Sequence, residues 1–371
     1  MKVCFVVSQL FAHGKYGGFG SLTRTLGKAL ATRGIEVFAV VPRRSGQPER
    51  EEMDGITVLA YSRVRWSASL ACFRACDCDV YHSEEPSMAT VYAQKAMPGR
   101  VHLVTAQDPR NARDWRTEFR YQPLRKKPGF IPAMLYETNP LITRAVRTCT
   151  RCYTQARFVA DKARRLYGLD YTPEFLPNGV TLPDAAPAKA EHPTVVFLSR
   201  WDRRKRIEQF MALAEQFPDV RFIALGKAHD ARYDATIRRR YAHLPQLDMP
   251  GLVDQFSGAS LSDYLGPAWI MCNTAARECL PVAFLEAAAH GCSILSYVNP
   301  DGFASEMGYH ARTDEDLEAG LRWLLEGDHW RRQGERGRAY VAEHHALDHV
   351  VDQHIAVYER HLREQIRKRN A

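Results

Sequence analysis

The sequence predicts an α/β protein built from two doubly wound halves that face each other across a cleft. Strand-like apolar runs alternate with helical patterns along the 371 residues, and this alternation favours parallel sheets with helices on both faces. The length suits two domains of ordinary size. Residues 181–194 are rich in Pro and Ala and lack periodicity, as is typical of a linker. Ligands of such sheets bind outside the carboxyl ends of the strands, so we expect the site in the cleft.

The individual elements follow from apolar runs bounded by turn residues. Gly34 suits the end of the first helix, whereas Pro281 and Gly291 suit the first turn and the end of a helix in the second half. The predicted strands are Val3–Ser8, Glu36–Val41, Thr57–Ala60, Val80–His82, Val101–Thr105, Cys152–Thr154, Thr194–Ser199, Val220–Leu225, Trp269–Cys272 and Ser293–Tyr297. The predicted helices cover residues 21–33, 156–167, 207–217, the segment around Glu286, 317–325 and 348–366.

The composition favours a globular protein of a reducing compartment. A hydrophobic content of 45% and a charged content of 25% fit a soluble chain. No apolar run approaches the roughly 20 residues of a membrane span, and the N-terminal strand lacks the small-residue cleavage site of a signal peptide. We therefore expect a cytoplasmic protein.

The nine cysteines, an odd number, argue against a disulfide framework. Cys72, Cys76 and Cys78, together with Cys149 and Cys152, leave a zinc site open because C-x-x-C is a ligand spacing. The other interpretation is packing, because Cys72 and Cys76 have helical spacing beside apolar residues and buried cysteine is common. Packing is favoured, and we expect no metal.

The net charge is +8 and the isoelectric point is near 9.0. A moderately basic chain suits nucleic acid, an anionic membrane surface or a phosphorylated substrate. No zinc-finger, basic-zipper or RNA-recognition signature accompanies the charge. We therefore expect no nucleic-acid partner.

Two carboxylates eight residues apart, Glu278 and Glu286, form the most informative pattern. The first precedes a short apolar turn, and the second lies in an Ala-rich run that is predicted to be helical. The free N–H groups and the positive end of a helix attract phosphate, whereas carboxylates accept hydrogen bonds from sugar hydroxyls. The segment therefore suits a sugar phosphate, although such a pair of Glu residues also occurs by chance.

The run of residues 199–206, SRWDRRKR, follows the first strand of the second half. Arg200 at the strand tip and Lys205 can converge on one diphosphate, with the guanidinium as a planar fork and the ammonium as a point charge. The competing interpretation is a solvated charge run. Cations are disfavoured near a helix N-terminus, and this position therefore favours an anionic ligand.

The loop of residues 16–21, YGGFGS, lies between the first strand and the first helix. Gly17 and Gly18 allow backbone N–H groups to approach an anion or a sugar, or they form a turn without a ligand. The spacing is not G-x-G-x-x-G, and no acidic residue closes the second strand. A dinucleotide site is therefore not expected.

A basic and aromatic segment spans residues 110–131. It resembles a membrane-interface segment, in which cations meet anionic headgroups and aromatic rings sit at the boundary. An ordinary exposed helix and loop explains it equally well. The cations are Arg110, Arg113, Arg116, Arg120, Arg125, Lys126 and Lys127, and the apolar residues are Trp115, Phe119, Tyr121, Phe130 and Ile131.

Taken together, these motifs resemble the family-4 retaining glycosyltransferases, also called glycosyl transferases group 1. The resemblance rests on the order of the motifs along nearly the whole chain. They are Gly17-Gly18, Asp79-Val80-Tyr81-His82, Pro177-Asn178-Gly179-Val180, Arg200 with Lys205, the E-x7-E pair, Gly291 before a strand, and the closing helix. The resemblance implies the GT-B fold of two Rossmann-like domains, with an acceptor-binding domain over 1–183 and a nucleotide-sugar domain over 184–349. The helix of about 350–371 would return to the first domain.

The resemblance also implies roles for individual residues. Arg200 and Lys205 would neutralise the departing diphosphate, and Glu278 would hold the donor sugar. Glu286 would hold the ribose hydroxyls. The implied donor-binding residues are Gly17, Gly18, Leu252, Val253, Cys279, Leu280, Pro281, Val282 and Glu286. The anomeric configuration would be retained, without a metal or another cofactor.

Two departures from the family pattern affect the reacting centre. Relatives carry a His in the loop where this chain has Ala106-Gln107-Asp108, so Gln107 or Asp108 would serve there. Cys279-Leu280-Pro281 replaces the usual Gly-containing turn. Neither change removes the nucleotide site.

Three functions stay open at the level of sequence. The first is transfer of a hexose, favouring a UDP-sugar, to a lipid-linked, glycan or small-molecule acceptor, as in polysaccharide or glycoconjugate biosynthesis. A peripheral position on the inner face of the membrane is one location that would suit this function. The second is a sugar-nucleotide epimerase or hydrolase of the same architecture. The third is a relative that binds a nucleotide sugar or a glycan without turnover.

Overall fold

A computed structural model describes every residue except Lys15, Arg125, Lys126 and Ala371, and the side chain of Trp66 is also left out. The chain divides into two compact units. Unit 1 comprises Met1–Trp115, Pro128–Gly179 and Leu347–Ala371, and unit 2 comprises Arg116–Lys127 and Val180–Ala346.

Unit 1 contains an eight-stranded sheet in the order β3-β4-β2-β1-β5-β6-β7-β8. The strands are β1 Lys2–Val6, β2 Glu36–Pro42, β3 Arg50–Met53, β4 Ile56–Tyr61, β5 Val80–Ser83, β6 Val101–Ala106, β7 Arg151–Thr154 and β8 Glu174–Phe175. All neighbours are parallel except β3 and β4. The helices up to residue 167 are α1 Gly18–Thr32, α2 Ser69–Cys76, α3 Met88–Ala96, α4 Ala112–Tyr121, α5 Phe130–Glu137, α6 Pro140–Thr148 and α7 Ala160–Tyr167.

Unit 2 contains a six-stranded parallel sheet in the order β11-β10-β9-β12-β13-β14. Its strands are β9 Thr194–Leu198, β10 Arg221–Leu225, β11 Leu247–Gly251, β12 Ile270–Asn273, β13 Ser293–Ser296 and β14 Gly308–His310. The helices that follow are α8 Ile207–Gln216, α9 Ala231–Tyr241, α10 Ser262–Leu265, α11 Val282–Ala289, α12 Phe303–Glu306, α13 Asp314–Leu325 and α14 His329–His344.

The last helix, α15 at Leu347–Asn370, packs on unit 1. Its Val351 and Tyr358 share one buried cluster with Val3 and Val101 of the sheet. Arg33 donates to Asp348 at 2.8 Å. The apolar face of α15 therefore completes the core of unit 1.

The central strands of both sheets are buried on both faces, as parallel sheets require. β1 and β5 have no exposed residue, and neither do β12 and β13. Such strands appear in the sequence as continuous apolar runs, and this explains why their predicted positions agree with the structure to within two residues.

Several elements differ from the sequence-based expectations. The helix expected from residue 156 begins as a short 3₁₀ turn at Arg157–Val159 before α7. Pro281 caps α11 with φ −68° and ψ 134° and therefore precedes its first turn. Gly34 and Gly291 adopt φ of 79° and 74° after α1 and α11, as expected for helix ends.

The segment 116–127 belongs to unit 2, although the sequence assigned it to the first half. Buried ion pairs of Glu118 with residues of unit 2 explain the difference and are described below. No helix in the described part of the chain combines the length and hydropathy that a bilayer crossing requires.

Candidate active site

The loops after β9, β10 and β11 meet at the carboxyl edge of the sheet in unit 2. Gly226, with φ 119°, donates its N–H to Gly251 at 2.7 Å. A Cβ at Gly226 would lie 1.9 Å from the carbonyl oxygen of Ser199. Only glycine permits this approach, because both the space and the dihedral angle exclude a side chain.

The basic loop after β9 is tied to the loop after β12 by hydrogen bonds. The Thr274 hydroxyl donates to the carbonyl oxygens of Lys205 and Arg206 at 2.8 and 2.9 Å. The N–H of Ala276 donates to the carbonyl of Arg204 at 2.9 Å. These hydrogen bonds hold the two loops in a fixed register. They bring the side chains of Lys205 and Glu278 close together.

Lys205 and Glu278 form an ion pair between the two loops. Their side chains are only 12% and 11% exposed. An ammonium and a carboxylate in so poorly solvated a place compensate one another's charge. The structure thus joins two residues that the sequence separates by 73 positions.

Arg200 lies at the rim of the same loop and is more exposed. Its Nη2 lies 3.6 Å from Oδ2 of Asp202, whose Oδ1 accepts from the N–H of Lys205 at 3.2 Å. Asp202 therefore links Arg200 to Lys205. We call Arg200, Lys205 and Glu278 the charged centre.

Glu118 of α4 holds two further cations beside the charged centre. Its Oε1 accepts from Arg204 at 2.5 Å and from Arg277 at 3.1 Å, and the Glu118 side chain is 9% exposed. Burial acts to lower the pKa of Arg204, but the carboxylates of Glu278 and Glu118 raise it overall. The segment 116–127 is attached to unit 2 through this carboxylate.

Glu286 lies on the second turn of α11 and is partly buried. Burial raises its pKa from the usual 4.5 to about 7. Its main-chain carbonyl accepts from Nδ1 of His290 at 2.7 Å. The carboxyl group can therefore change its protonation state near neutral pH, and a hydroxyl-bearing ligand could hydrogen-bond either form.

The remaining donor-binding candidates of unit 2 lie at the same edge of its sheet. Leu252 and Val253 directly follow β11 and are partly buried. Cys279, Pro281 and Val282 are also partly buried, and Leu280 is 5% exposed. Residues 279–281 lead into α11, which begins at Val282 and whose first N–H groups lack helical partners.

Gly17 and Gly18 lie in unit 1, at the start of α1. Gly17 has φ 168°, an extended conformation that any residue adopts. The glycine with a steric reason is Gly20, where a Cβ would lie 3.0 Å from the N of Phe11. The backbone conformation of Gly17 is therefore open to other residues, whereas Gly20 is held by the close approach of Phe11.

Gln107 lies in a network of amides in unit 1. Its Nε2 donates to Oε2 of Glu84 at 3.0 Å, and its Oε1 accepts from Asn178 at 3.2 Å. Asn178 also donates to Gln155 at 3.3 Å. We call Glu84, Gln107, Gln155 and Asn178 the amide network.

Glu84 is the buried carboxyl group of this network, with 5% of its surface exposed. Burial raises its pKa to about 7, and the hydrogen bond from Gln107 acts in the opposite direction. Asp108 points to different partners, since its Oδ2 accepts from Arg110 at 3.1 Å. Gln107 and Asp108 are therefore adjacent in sequence but belong to separate hydrogen-bond systems.

Several residues of these centres were missed from sequence. Glu118, Thr274 and Glu84 carry no local signal, because their partners lie far away along the chain. Asn178 belongs to one of the motifs that carry the family resemblance, but no role was predicted for it. The structure shows that it contacts Gln107.

The cysteine interpretation as a zinc site is wrong. Cys76 and Cys78 are buried in one apolar cluster with Phe73, whereas Cys152 lies in another, against which Cys149 packs. Cys72 packs on the first cluster from α2. The helical spacing of Cys72 and Cys76 directs both toward the core, as the packing interpretation expects.

The basic segment is divided between the units. Arg110 stacks over Trp115 at 5.0 Å in unit 1. Arg120 and Tyr121 line a cavity of about 300 Å³ in unit 2 with Arg206 and Arg312. Arg125 and Lys126 lie outside the described residues.

Comparison with known proteins agrees with this fold. Residues 16–183 match the model of Glycosyltransferase Family 4. Sucrose-phosphate synthase from Thermosynechococcus elongatus superposes with a TM-score of 0.74 at 15% identity, covering 97% of this chain and 98% of that one. No curated protein sequence matches the chain.

Two further solved structures are similar over nearly their full lengths. Anabaena HepE in complex with UDP-glucose has a TM-score of 0.71 at 12% identity, with 97% and 99% of the chains covered. WaaG, a glycosyltransferase involved in lipopolysaccharide biosynthesis, has a TM-score of 0.67 at 15% identity, with 96% and 99% covered.

These likenesses define the class: the chain has the GT-B fold of glycosyltransferases, as the sequence predicted. The match of residues 16–183 to Glycosyltransferase Family 4, together with this fold, confirms the resemblance drawn from the motifs.

Proposed function

We propose that this protein transfers a hexose from a nucleoside-diphosphate donor, favouring a UDP-sugar, to an acceptor held by unit 1. The anomeric configuration is retained and no metal takes part. The observation that carries the proposal is the ion pair of Lys205 with Glu278 beside the start of α11. It places a cation for phosphate and a carboxylate for a sugar in direct contact.

In this proposal the ion pair changes partners when the donor binds. Lys205 and Arg200 neutralise the diphosphate, and Glu278 accepts hydrogen bonds from the donor sugar. As the bond to the sugar breaks, negative charge develops on the departing phosphate, where fixed cations and free helix N–H groups stabilise it. The acceptor oxygen bonds to the anomeric carbon on the face that the diphosphate leaves, and a departing phosphate oxygen takes the proton of the acceptor hydroxyl. Because attack and departure share one face, the configuration is retained.

The other predicted donor-binding residues complete the donor site. Glu286 holds the ribose hydroxyls, and Leu252 and Val253 seat the base. Cys279, Leu280, Pro281 and Val282 contribute the backbone around the sugar. Gly17 and Gly18 contribute N–H groups of unit 1 to the phosphates.

Unit 1 supplies the acceptor side. Gln107 is held by amide hydrogen bonds on both of its side-chain atoms and is therefore well oriented. It takes the place of the His of relatives as a hydrogen-bonding group at the reacting centre. Asp108 is the second candidate, with Arg110 as its partner.

The donor is tested first by binding. The melting temperature is measured with millimolar UDP, GDP, ADP, CMP and NAD. A ligand at about 100 times its dissociation constant stabilises the folded state by roughly 2.7 kcal/mol. We expect a clear shift with UDP; a folded protein that responds to none of them contradicts the nucleotide site.

A turnover assay distinguishes sugar transfer from the epimerase or hydrolase and from the non-catalytic relative. The responding nucleotide is supplied as its sugar conjugates, and nucleotide release is measured with and without candidate acceptors. Release that requires an acceptor supports transfer, and nuclear magnetic resonance of the new anomeric proton then reports retention. Release or epimerisation without an acceptor supports the epimerase or hydrolase, and binding without turnover supports the non-catalytic relative.

A lipid-linked acceptor at the inner face of the membrane is favoured by one feature of unit 1. The helix α5 is rich in apolar residues, yet none of them is buried. Ile131 and Leu135 are 54% and 60% exposed. Apolar side chains on a surface helix of a basic protein suit insertion at an anionic bilayer surface.

Sedimentation with anionic liposomes tests this feature. The double variant Ile131→Ser/Leu135→Ser is expected to lose binding, whereas Ile366→Ser, an equally exposed apolar residue on α15, retains it. Neutralising Arg125, Lys126 and Lys127 is expected to weaken binding as well. An absence of lipid binding by the wild-type protein would remove the membrane from the proposal.

A further inference from the structure

Two histidines and a carboxylate converge in the core of unit 1. His82, Glu84 and His354 are 0%, 5% and 4% exposed. One ligand atom from each lies within 4.8 Å of the other two. The His82 Nδ1 and the Glu84 Oε1 are 3.5 Å apart.

The local structure aims these side chains at one another. His82 lies in β5, and Glu84 directly follows that strand. His354 and Tyr358 are four residues apart and share a face of α15. The rings of His82, His354 and Tyr358 lie close to one another. The ring centroids of His82 and Tyr358 are 5.7 Å apart, and the His354 centroid is 6.0 Å from each of them.

Each candidate ligand is oriented through its second polar atom. The Nδ1 of His354 donates to the carbonyl of Val350 at 2.8 Å, which leaves Nε2 with the lone pair. The Nε2 of His82 bonds the Thr105 hydroxyl at 2.8 Å, and Oε2 of Glu84 accepts from Gln107. Outer partners of this kind fix metal-ligating groups in proteins.

One atom of the cluster is not satisfied by the protein. Oε1 of Glu84 is buried and has no hydrogen-bond partner among the described residues. Leaving a buried carboxylate oxygen without a partner is costly.

We propose that His82, Glu84 and His354 bind a divalent transition-metal ion, with zinc as the expected ion, and that the Tyr358 hydroxyl lies at the fourth position. The His82 Nδ1 now bonds this hydroxyl at 2.9 Å, and the ion would take the place of that hydrogen bond. Two imidazoles and a carboxylate are a ligand set that zinc accepts. The ion ties α15 to the end of β5 and to Glu84, which follows that strand.

Metal content of the full-length protein tests the proposal directly. The protein is dialysed against Zn²⁺ and freed of excess ion, and we expect about one zinc per chain. X-ray absorption should show only N and O ligands at about 2.0–2.2 Å. Substitution with Co²⁺ should give the visible absorption of four-coordinate cobalt.

Three results would overturn the proposal. The first is a folded protein that retains neither zinc nor cobalt. The second is a shell of sulfur at about 2.3 Å, which would place the ion on cysteines. The third is zinc binding that is unchanged in Glu84→Gln and His354→Gln.

The variants have a matched control. Replacing a ligand should weaken zinc binding by at least about 100-fold, since losing only an outer partner costs 10- to 100-fold. His102→Gln removes another buried histidine of unit 1, which bonds Met97 instead, and should leave zinc binding unchanged. If a ligand variant fails to fold, the X-ray absorption of the wild-type protein still decides.

Discussion

In unit 2 the candidate centre is made of paired opposite charges, whereas in unit 1 it is made of neutral amides around one carboxyl group. Lys205 and Glu278 are held by one another, and Arg204 is held by Glu118. Gln107 is held by Asn178 and Glu84 through hydrogen bonds. Ion pairs can exchange partners with a charged ligand, but an amide network chiefly fixes orientation. Handling of phosphate charge is therefore expected in unit 2, and orientation of the acceptor in unit 1.

The largest expected effect comes from breaking the buried pairs of Glu118. Glu118→Ala leaves Arg204 and Arg277 without this carboxylate in a poorly solvated place, and we expect a loss of about 3–5 kcal/mol in the free energy of unfolding. Chemical denaturation measures it. The control is Asp248→Ala in the same unit, whose pair with Arg221 is more than half exposed and should contribute about 0–1 kcal/mol. Equal losses of unfolding free energy in Glu118→Ala and Asp248→Ala would contradict the distinction between buried and exposed ion pairs.

The second prediction concerns the charged centre itself. Lys205→Ala should lower the transfer rate by about 10²- to 10³-fold, because a fixed donor at a developing charge is lost. Arg200→Ala should act in the same direction. The control is Arg203→Ala, whose guanidinium stacks over Tyr233 at 4.9 Å and should retain nearly the full rate. Near wild-type rates in Lys205→Ala and Arg200→Ala would refute the assigned roles.

Substitutions in the amide network should mainly change the free energy of unfolding. Gln107→Leu removes partners from Glu84 and Asn178, and an unsatisfied buried polar group costs about 1–3 kcal/mol. Gln107→His, which restores the residue of relatives, tests the reacting-centre role separately. A stable Gln107→His variant with wild-type or higher turnover would support that role, whereas an inactive folded variant would show that the amide itself is required.

The last prediction is a pH dependence, which is small for each unit of pH. The pKa of Glu286 is about 7 in the folded state against 4.5 in the unfolded chain, so between these values the folded state binds more protons. Its contribution to stability therefore falls as pH rises from about 4.5 to 7, by at most about 1.4 kcal/mol per pH unit. Glu286→Gln should lack this contribution. Urea unfolding at pH 5, 6 and 7 measures it, and the exposed Glu335→Gln should keep the wild-type slope.

The sequence by itself determined the alternation of strands and helices and the chemistry of the site segments. β1, β5, β12 and β13 are visible as apolar runs because parallel strands are buried on both faces. The spacing of Glu278 and Glu286 is visible because one loop and one helix contain both. Local patterns of this kind are visible in the sequence without knowledge of the tertiary structure.

Only the tertiary structure decided which distant residues meet. Glu118 pairs with Arg204 across 86 positions, and Gln107 bonds Asn178 across 71. The order of strands in the two sheets determines these contacts, and no short period in the sequence encodes that order. The same reason explains why the segment 116–127 was assigned to the wrong unit: its helical pattern is local, but the partners of its buried carboxylate are not.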